Sequence, residues 1–229
     1  PDQYKKRSST FSEIHKMMKN LKGLFLLFAL GFGYFSVYAQ KNIAEATFVY
    51  NIKGQSLNGA STTVYIKGNN SRTEMVSVLG KEITIFNSKL NRAVILKEFS
   101  GQKLMITLTS ENWKSKGKMY NNIKFELTGV YKTIGGYNTR KAIAKMEDGK
   151  TFEVFYAPDL VPANTEYDAT FSNLPGLAIE YEIESGNTKF TYSLVKIDYD
   201  PVPVSLFDFP ASGYRKMTYE ENQNLKKGN

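Results

Sequence analysis

A period-two alternation of apolar and polar residues runs through most of the chain and restricts it to extended strands. Thr62-Thr63-Val64-Tyr65-Ile66-Lys67 alternates, Gly68-Asn69-Asn70 reads as a turn, and Arg72 to Val76 reads as the returning strand. Ile83 and Ile85 share one face of Lys81 to Phe86. Ala93 to Lys97 follows an Asn87-Ser88-Lys89 turn, and Leu104, Ile106 and Leu108 share a face of the run that opens at Gly101. In the second half, Phe125 to Lys132 is a strand, and Tyr137 to Met146 and Thr151 to Ala157 flank Asp148-Gly149, which reads as a two-residue hairpin loop. Leu177, Ile179, Tyr181 and Ile183 alternate with Glu180, Glu182 and Glu184. Phe190, Tyr192 and Leu194 alternate with Thr191, Ser193 and Val195 beyond a Ser185-Gly186-Asn187 turn. Short hairpins at even spacing predict a mainly β, single antiparallel sheet of roughly 10 or 11 strands.

Helix signals are few. Thr109 or Ser110 can cap a short helix through Trp113, and Thr218-Tyr219-Glu220-Glu221 is a capping-box pattern that opens a second one. Asp200-Pro201-Val202-Pro203 reads as a rigid connector.

The N-terminal region has a different character. Met17 and Met18 are the expected initiators, so residues 1–17 are read as a non-native or untranslated upstream segment. Residues 18–39 read as a signal peptide: Lys19 and Lys22 form a short basic start, Gly23 to Val37 carries no charge, and Ala39 supplies the small residue before a cut. The apolar run is short of the ~20 residues a membrane span needs, and Gly31 and Gly33 interrupt it. Residues 40–229 then form a single β-rich domain, placed in the periplasm or on the outer surface of a Gram-negative bacterium.

This reading changes the chemistry available. Before Gln40 lie six basic and two acidic residues, so the mature balance is 24 against 20, or +4 rather than +8. That modest, dispersed excess argues against both nucleic acid and an anionic membrane surface as partners. The densest basic run, Lys114-Ser115-Lys116-Gly117-Lys118, reads as a solvated loop. The only histidine, His15, lies upstream of the signal, and there is no cysteine. Ser-His-Asp and Cys-His hydrolysis, zinc and thiol chemistry are therefore excluded from the mature chain. No catalytic residue, metal ligand or cofactor site is expected; carboxylate-based glycoside hydrolysis remains the one enzymatic alternative. Glu180, Glu182 and Glu184 read as a solvated strand face rather than a calcium site.

Tyr65, Phe86 and Phe155 fall on faces opposite faces that are already apolar. A sheet that is apolar on both sides needs a cover, which can be a helix, another chain or an apolar ligand. These three are the candidate ligand-face residues. Trp113, beside Lys114 and Lys116, either guards a pocket or packs partly buried.

One segment carries a family resemblance. Tyr131 to Leu160 is followed by Phe171-Ser172-Asn173-Leu174-Pro175-Gly176-Leu177. Ile134, Gly136, Tyr137, Gly149, Tyr156, Pro158, Leu174, Pro175, Gly176, Leu177 and Tyr181 match positions of the exported Bacteroidetes proteins named for a Gly-Leu-Pro-Gly-Leu-Ile motif (GLPGLI) and their relatives of unknown function. The chain resembles that family but has Asn173 where the motif starts with Gly, and Asn138-Thr139 where a cysteine is expected. The resemblance implies a LolA-like, strongly curved sheet or incomplete barrel with one or two short helices, and no catalytic residues. Independently of it, Pro175-Gly176 suits a type II turn with Leu174 and Leu177 pointing into the core.

Together these readings describe a non-enzymatic exported envelope protein that holds a lipid, an acyl chain or another apolar ligand in a half-barrel. The alternative is an envelope interaction or scaffold module with a protein partner and no small ligand. Cleavage after Ala39 predicts that the exported protein, sequenced from its N-terminus, begins Gln-Lys-Asn-Ile; a start upstream of Val37 refutes that cut.

Overall fold

The computed structural model describes residues 40–54, 59–120, 122–185 and 188–227. The segments 1–17 and 18–39, and Gly186-Asn187 of the last hairpin turn, lie outside the described residues.

Strand formation follows the alternation closely. The fourteen described strands, in chain order, are β1 (Lys41–Ile43), β2 (Glu45–Lys53), β3 (Ala60–Lys67), β4 (Asn70–Ser77), β5 (Gly80–Asn87), β6 (Arg92–Phe99), β7 (Gln102–Leu108), β8 (Lys124–Ile134), β9 (Tyr137–Lys145), β10 (Thr151–Ala157), β11 (Leu160–Pro162), β12 (Leu177–Ser185), β13 (Thr188–Asp198) and β14 (Arg215–Thr218). Twelve of them form one sheet in the order β14-β7-β6-β5-β4-β3-β2-β13-β12-β10-β9-β8. Its pairs are antiparallel except β14 with β7. The ladder is open, with β8 and β14 as its edges, so no barrel closes. β1 and β11 add a small parallel pair. Fourteen strands exceed the expected 10 or 11, mainly because β1, β11 and β14 are only three or four residues long and carry too few positions to show a period.

Among the described residues, two α-helices complete the fold. Helix α1 (Ser110–Gly117) is capped by Thr109, whose hydroxyl accepts the Asn112 N–H at 3.2 Å while Asn112 Oδ1 accepts the Thr109 N–H at 3.1 Å. Helix α2 (Tyr219–Lys227) starts with the reciprocal pair of Thr218 and Glu221, at 2.7 and 3.1 Å. The basic run Lys114–Lys118 is therefore helix α1 and the turn after it, not a loop. The capped start at Thr109 carries the helix through these lysines, whose long stems lose little rotamer freedom there.

The sheet buries one face along its length and the other over β3–β7. On what we call the inner face, Phe48, Tyr50, Val64, Ile66, Val154, Leu177 and Ile179 form the main core. Phe86, Ile95, Ile106 and Leu108 extend it beneath Trp113 of α1. On the outer face, Ile83, Ile85, Val94 and Leu96 pack under Val202, Leu206 and Phe207. The cover of the second face is thus the chain's own Asp200–Tyr214 segment, laid down by the proline-rich connector. Lys67 Nζ and the Arg72 guanidinium pin it by donating to the carbonyls of Val202 (2.9 Å) and Leu206 (2.8 Å).

Strong curvature follows from the lining of one cavity. Phe190 on β13 and Phe99 at the end of β6 are five strand steps apart, about 24 Å on a flat sheet. They nevertheless line one space of about 360 Å³. The register shift in β13 (Leu194/Lys196), against β2, is a bend within that span; further shifts lie beyond it in β10 (Phe155/Tyr156) and β8 (between Leu127 and Tyr131).

Two turns differ from their sequence reading. Lys145 pairs with Thr151, and Met146 N–H donates to Lys150 O, so the loop is the three residues Glu147-Asp148-Gly149 rather than Asp148-Gly149 alone. Gly149 takes the left-handed position at φ 83°. At Pro175, Gly176 N–H donates to Leu174 O at 2.9 Å, a three-residue turn tighter than type II. Leu174 and Leu177 are both buried. Gly176 has φ 156°, and a Cβ there would sit 2.3 Å from Ala157 O. Gly176→Ala is therefore expected to destabilise the domain by about 1–3 kcal/mol through backbone displacement. Urea unfolding checks this as a lower midpoint at unchanged slope.

Candidate functional site

The register lines up side chains across the inner face in rows. Val64, Thr73, Thr84 and Ile95 form one row over β3–β6. Thr62, Met75, Glu82 and Lys97 form the next, two residues and so about 7 Å further along the strands. Toward one end lies Phe86, buried and stacked on Trp113 at 4.3 Å; toward the other lie Gly80 and Phe99. The middle of the inner face is thus polar, although it adjoins an apolar core on either side.

Two spaces stand on this strip. The first, about 220 Å³, has Thr73 and Thr84 as its floor. Its walls are Trp113, Lys116 and Tyr120 from α1 and the turn after it, and Tyr167, Asp168 and Thr170 from the loop between β11 and β12. The second, the 360 Å³ space described above, has Met75 and Glu82 as its floor and Leu79, Phe99 and Phe190 around its mouth. Because the floors are consecutive rows of the same two strands, the spaces follow one line, polar at one end and apolar at the other. A third, of about 300 Å³, shares Tyr120 and Thr170 with the first. It lies where β10 and β12 part beyond the Val154–Tyr181 pair.

Asp168 dominates the electrostatics. It caps the short 3-10 turn Ala169–Phe171, accepting the Thr170 N–H at 2.9 Å. It keeps some accessible area and lines the cavity, but its carboxylate is surrounded on most sides, and that depth governs its charge. Burial raises its pKa, against the Thr170 hydrogen bonds and the charge of Lys116, which lower it. Five tyrosines surround it electrostatically: Tyr50, Tyr120, Tyr167, Tyr181 and Tyr192 are all pushed up, first by burial, and then by the Asp168 charge, which at Tyr167 comes after that of Tyr50. Their rings interlock, with Tyr181 parallel to Tyr192 at 4.8 Å and edge-on to Phe171 at 4.6 Å. The Tyr50 hydroxyl donates to Ala178 O at 2.8 Å. These phenols stay protonated and offer hydrogen bonds, not base catalysis.

The three residues singled out from the sequence do not meet. Tyr65 is on the outer face, against the Val202–Tyr214 cover. Phe155 is opposite Glu180 on that same outer side, with Lys132 Nζ 5.2 Å above its ring. Phe86 is on the inner face, but Trp113 seals it. None of them lines the three spaces. Trp113 does both things expected of it, packing on Phe86 and walling the first cavity. The Glu180–Glu184 row is outer, and Glu180 and Glu182 accept from Ser193 (3.1 Å) and Thr191 (3.5 Å). Sequence reasoning passed over Asp168, Tyr120, Tyr167, Thr73 and Thr84. The one available signal was the long polar-aromatic loop Asn164-Thr165-Glu166-Tyr167-Asp168, which has no strand pattern.

A raised carboxyl pKa means that Asp168 holds its proton more tightly folded than unfolded. Its contribution to stability is then fully present below the unfolded value of 3.8 and is lost as pH rises through the folded value. Asp168→Asn keeps the oxygen that caps Thr170 and removes the buried charge. The variant is expected to melt above wild type at pH 7, with the gap closing as pH falls toward 3.8; differential scanning calorimetry across pH reads it.

Comparison with known proteins places the chain. A family model described as "Domain of unknown function (DUF4412)" matches residues 51–176, more than half of the sequence, and the chain belongs to that family. No curated protein matches it by sequence. Among solved structures, PNGF-II in its P21 form aligns over 80% of this chain and 33% of its own, at 14% identity and a TM-score of 0.51. This chain therefore spans about a third of PNGF-II, and the likeness is one of fold. The MucA/MucB complex of Pseudomonas aeruginosa aligns over 73% of this chain and 55% of that one, at 12% identity and a TM-score of 0.36. LprF from Mycobacterium bovis aligns over 74% and 90%, at 10% identity and 0.34. At those two scores the matches add nothing to the fold assignment.

Proposed function

We propose that this member of the DUF4412 family is a non-enzymatic, exported envelope protein that holds an amphipathic ligand, a single acyl chain or a comparably slender apolar body with a polar end, on the inner face of its open sheet. The observation that carries the reading is the line of two spaces on consecutive rows of β4 and β5. Asp168 and its tyrosines supply the polar end, and Met75, Leu79, Phe99 and Phe190 supply the apolar end. Their volumes, about 220 and 360 Å³, suit one chain rather than a multi-chain lipid, since ligand pockets commonly run ~300–1,000 Å³.

Export rests on the signal-like segment 18–39, and with it the cell-envelope location. Among the described residues no helix is long and apolar enough to cross a membrane. The GLPGLI likeness of Asn173–Leu177 supports the same placement.

Extraction of the purified native protein with organic solvent, followed by mass spectrometry, is expected to release an acyl-containing compound near one per chain. Thr73→Phe, which fills the floor of the first cavity, is expected to reduce that yield several-fold while the protein stays folded. A protein that is empty from its native envelope and takes up no fatty-acyl probe in vitro overturns the reading.

A further inference from the structure

The hairpin tip between β4 and β5 is built against the chemistry of turns. Ser77 pairs with Gly80, leaving Val78-Leu79 as the two loop residues. Loops of this length favour Asn, Gly or Asp, as at Ser100-Gly101 and Gly135-Gly136 of this protein, all four with positive φ. Val78 and Leu79 supply no such geometry; the turn is closed by Ser77, whose hydroxyl accepts the Leu79 N–H at 3.2 Å, and by Gly80 at φ 142°. A polar pair would make the same turn. Yet Val78 is 78% and Leu79 73% exposed.

Two neighbours extend this apolar point. Val76 is 44% and Phe99 41% exposed. Phe99 sits over Gly80, where a Cβ would come within 2.9 Å of its own, so the tips of two consecutive hairpins are held side by side. Basic residues ring the same end of the sheet: Lys53 ends β2, Lys81 is second in β5, Lys103 second in β7, and Arg215 and Lys216 open β14. Glu74 and Glu98 pair with Lys81 (2.7 Å) and Lys103 (3.5 Å), which leaves three more positive than negative charges among these residues; at the adjoining end of β12 and β13, Glu182 pairs with Lys189 (2.9 Å) and Glu184 is one further acid.

We propose that this end of the sheet docks on an anionic lipid bilayer, with Val78, Leu79 and Phe99 entering the headgroup region and the basic rim lying against lipid phosphates. An apolar tip with a basic surround is the pattern of interfacial membrane binding. Leu79 and Phe99 also frame the mouth of the apolar space, so docking sets that mouth against the source of an acyl ligand. This last link rests on the proposed function; the surface itself does not. An empty protein would still dock, and a loaded protein with an inert tip would leave the extraction result standing.

The chain has no cysteine, so single labels are clean. Vesicles of phosphatidylethanolamine with a quarter phosphatidylglycerol are expected to co-sediment the wild type, less so as salt is raised. The double variant V78S/L79S is expected to lose at least tenfold in binding without a change in melting temperature. A polarity-sensitive dye on L79C should shift to the blue on vesicle addition, while the same dye on K89C, in a turn at the opposite end of the sheet, should not. Failure to sediment, equal binding by the double variant, or equal dye shifts at both positions would overturn the proposal. Shielding of the L79C dye by protein concentration alone, without vesicles, would also overturn it, in favour of a second copy of the chain.

Discussion

Curvature of the twelve-stranded ladder is the constraint from which the other features follow. An open sheet of this width leaves two long faces and two edges to be managed. Bending brings β13 close to the end of β6 and turns one face into a concave wall. The register shift at Leu194/Lys196 bends β13 on that wall, and the one at Phe155/Tyr156 bends β10, two strands further on. Gly54 and Gly80 serve it at close range, since a Cβ at Gly54 would lie 2.6 Å from the Phe190 ring. Without the bend, the polar strip of Thr73, Thr84 and Glu82 would be an ordinary solvated surface, and Asp168 would face water.

The two faces are covered by different means. The outer face receives the chain's own C-terminal segment, fastened by Lys67, Arg72 and Glu45; Glu45 accepts the Val202 N–H at 2.6 Å and the Lys67 ammonium at 2.8 Å. Those bonds lower the Glu45 pKa, the Lys67 hydrogen bond foremost. The inner face is covered in patches: α1 over Phe86, and the loop before β12 over Phe48 and Tyr181. Patchwork cover leaves gaps, and the gaps are the spaces described. At the β8 edge, the bulge near Leu127 and the Arg140 guanidinium 5.3 Å from the Tyr131 ring blunt what would otherwise be a free strand for pairing.

The sequence and the site relate unevenly. Strand β3 was legible because it has one buried and one half-buried face, so burial writes a period of two directly into the residues. Both helix starts were legible because an N-cap at Thr109 or Ser110, and the capping box at Thr218, are bonds between residues only two or three apart. Strand β4 was legible as a strand but not as a site wall: Thr73 and Met75 follow no clean alternation, and their importance comes from what stands over them. Tyr65 and Phe155 were apolar on a second face, as read, but at Tyr65 that face is occupied by the chain's own C-terminal segment, and at Phe155 the Lys132 ammonium stands over the ring.

Alone, then, the sequence determined the strand class, the hairpin order, the caps and the absence of histidine and cysteine chemistry after residue 39, because each depends on residues near one another or on composition. The tertiary structure decided which face is concave, that Asp168 sits among five tyrosines drawn from five separate elements of the chain, and that the polar strip on β4 and β5 runs to an apolar mouth. Those depend on curvature accumulated over many strand pairs, to which no single stretch of residues contributes enough to be read.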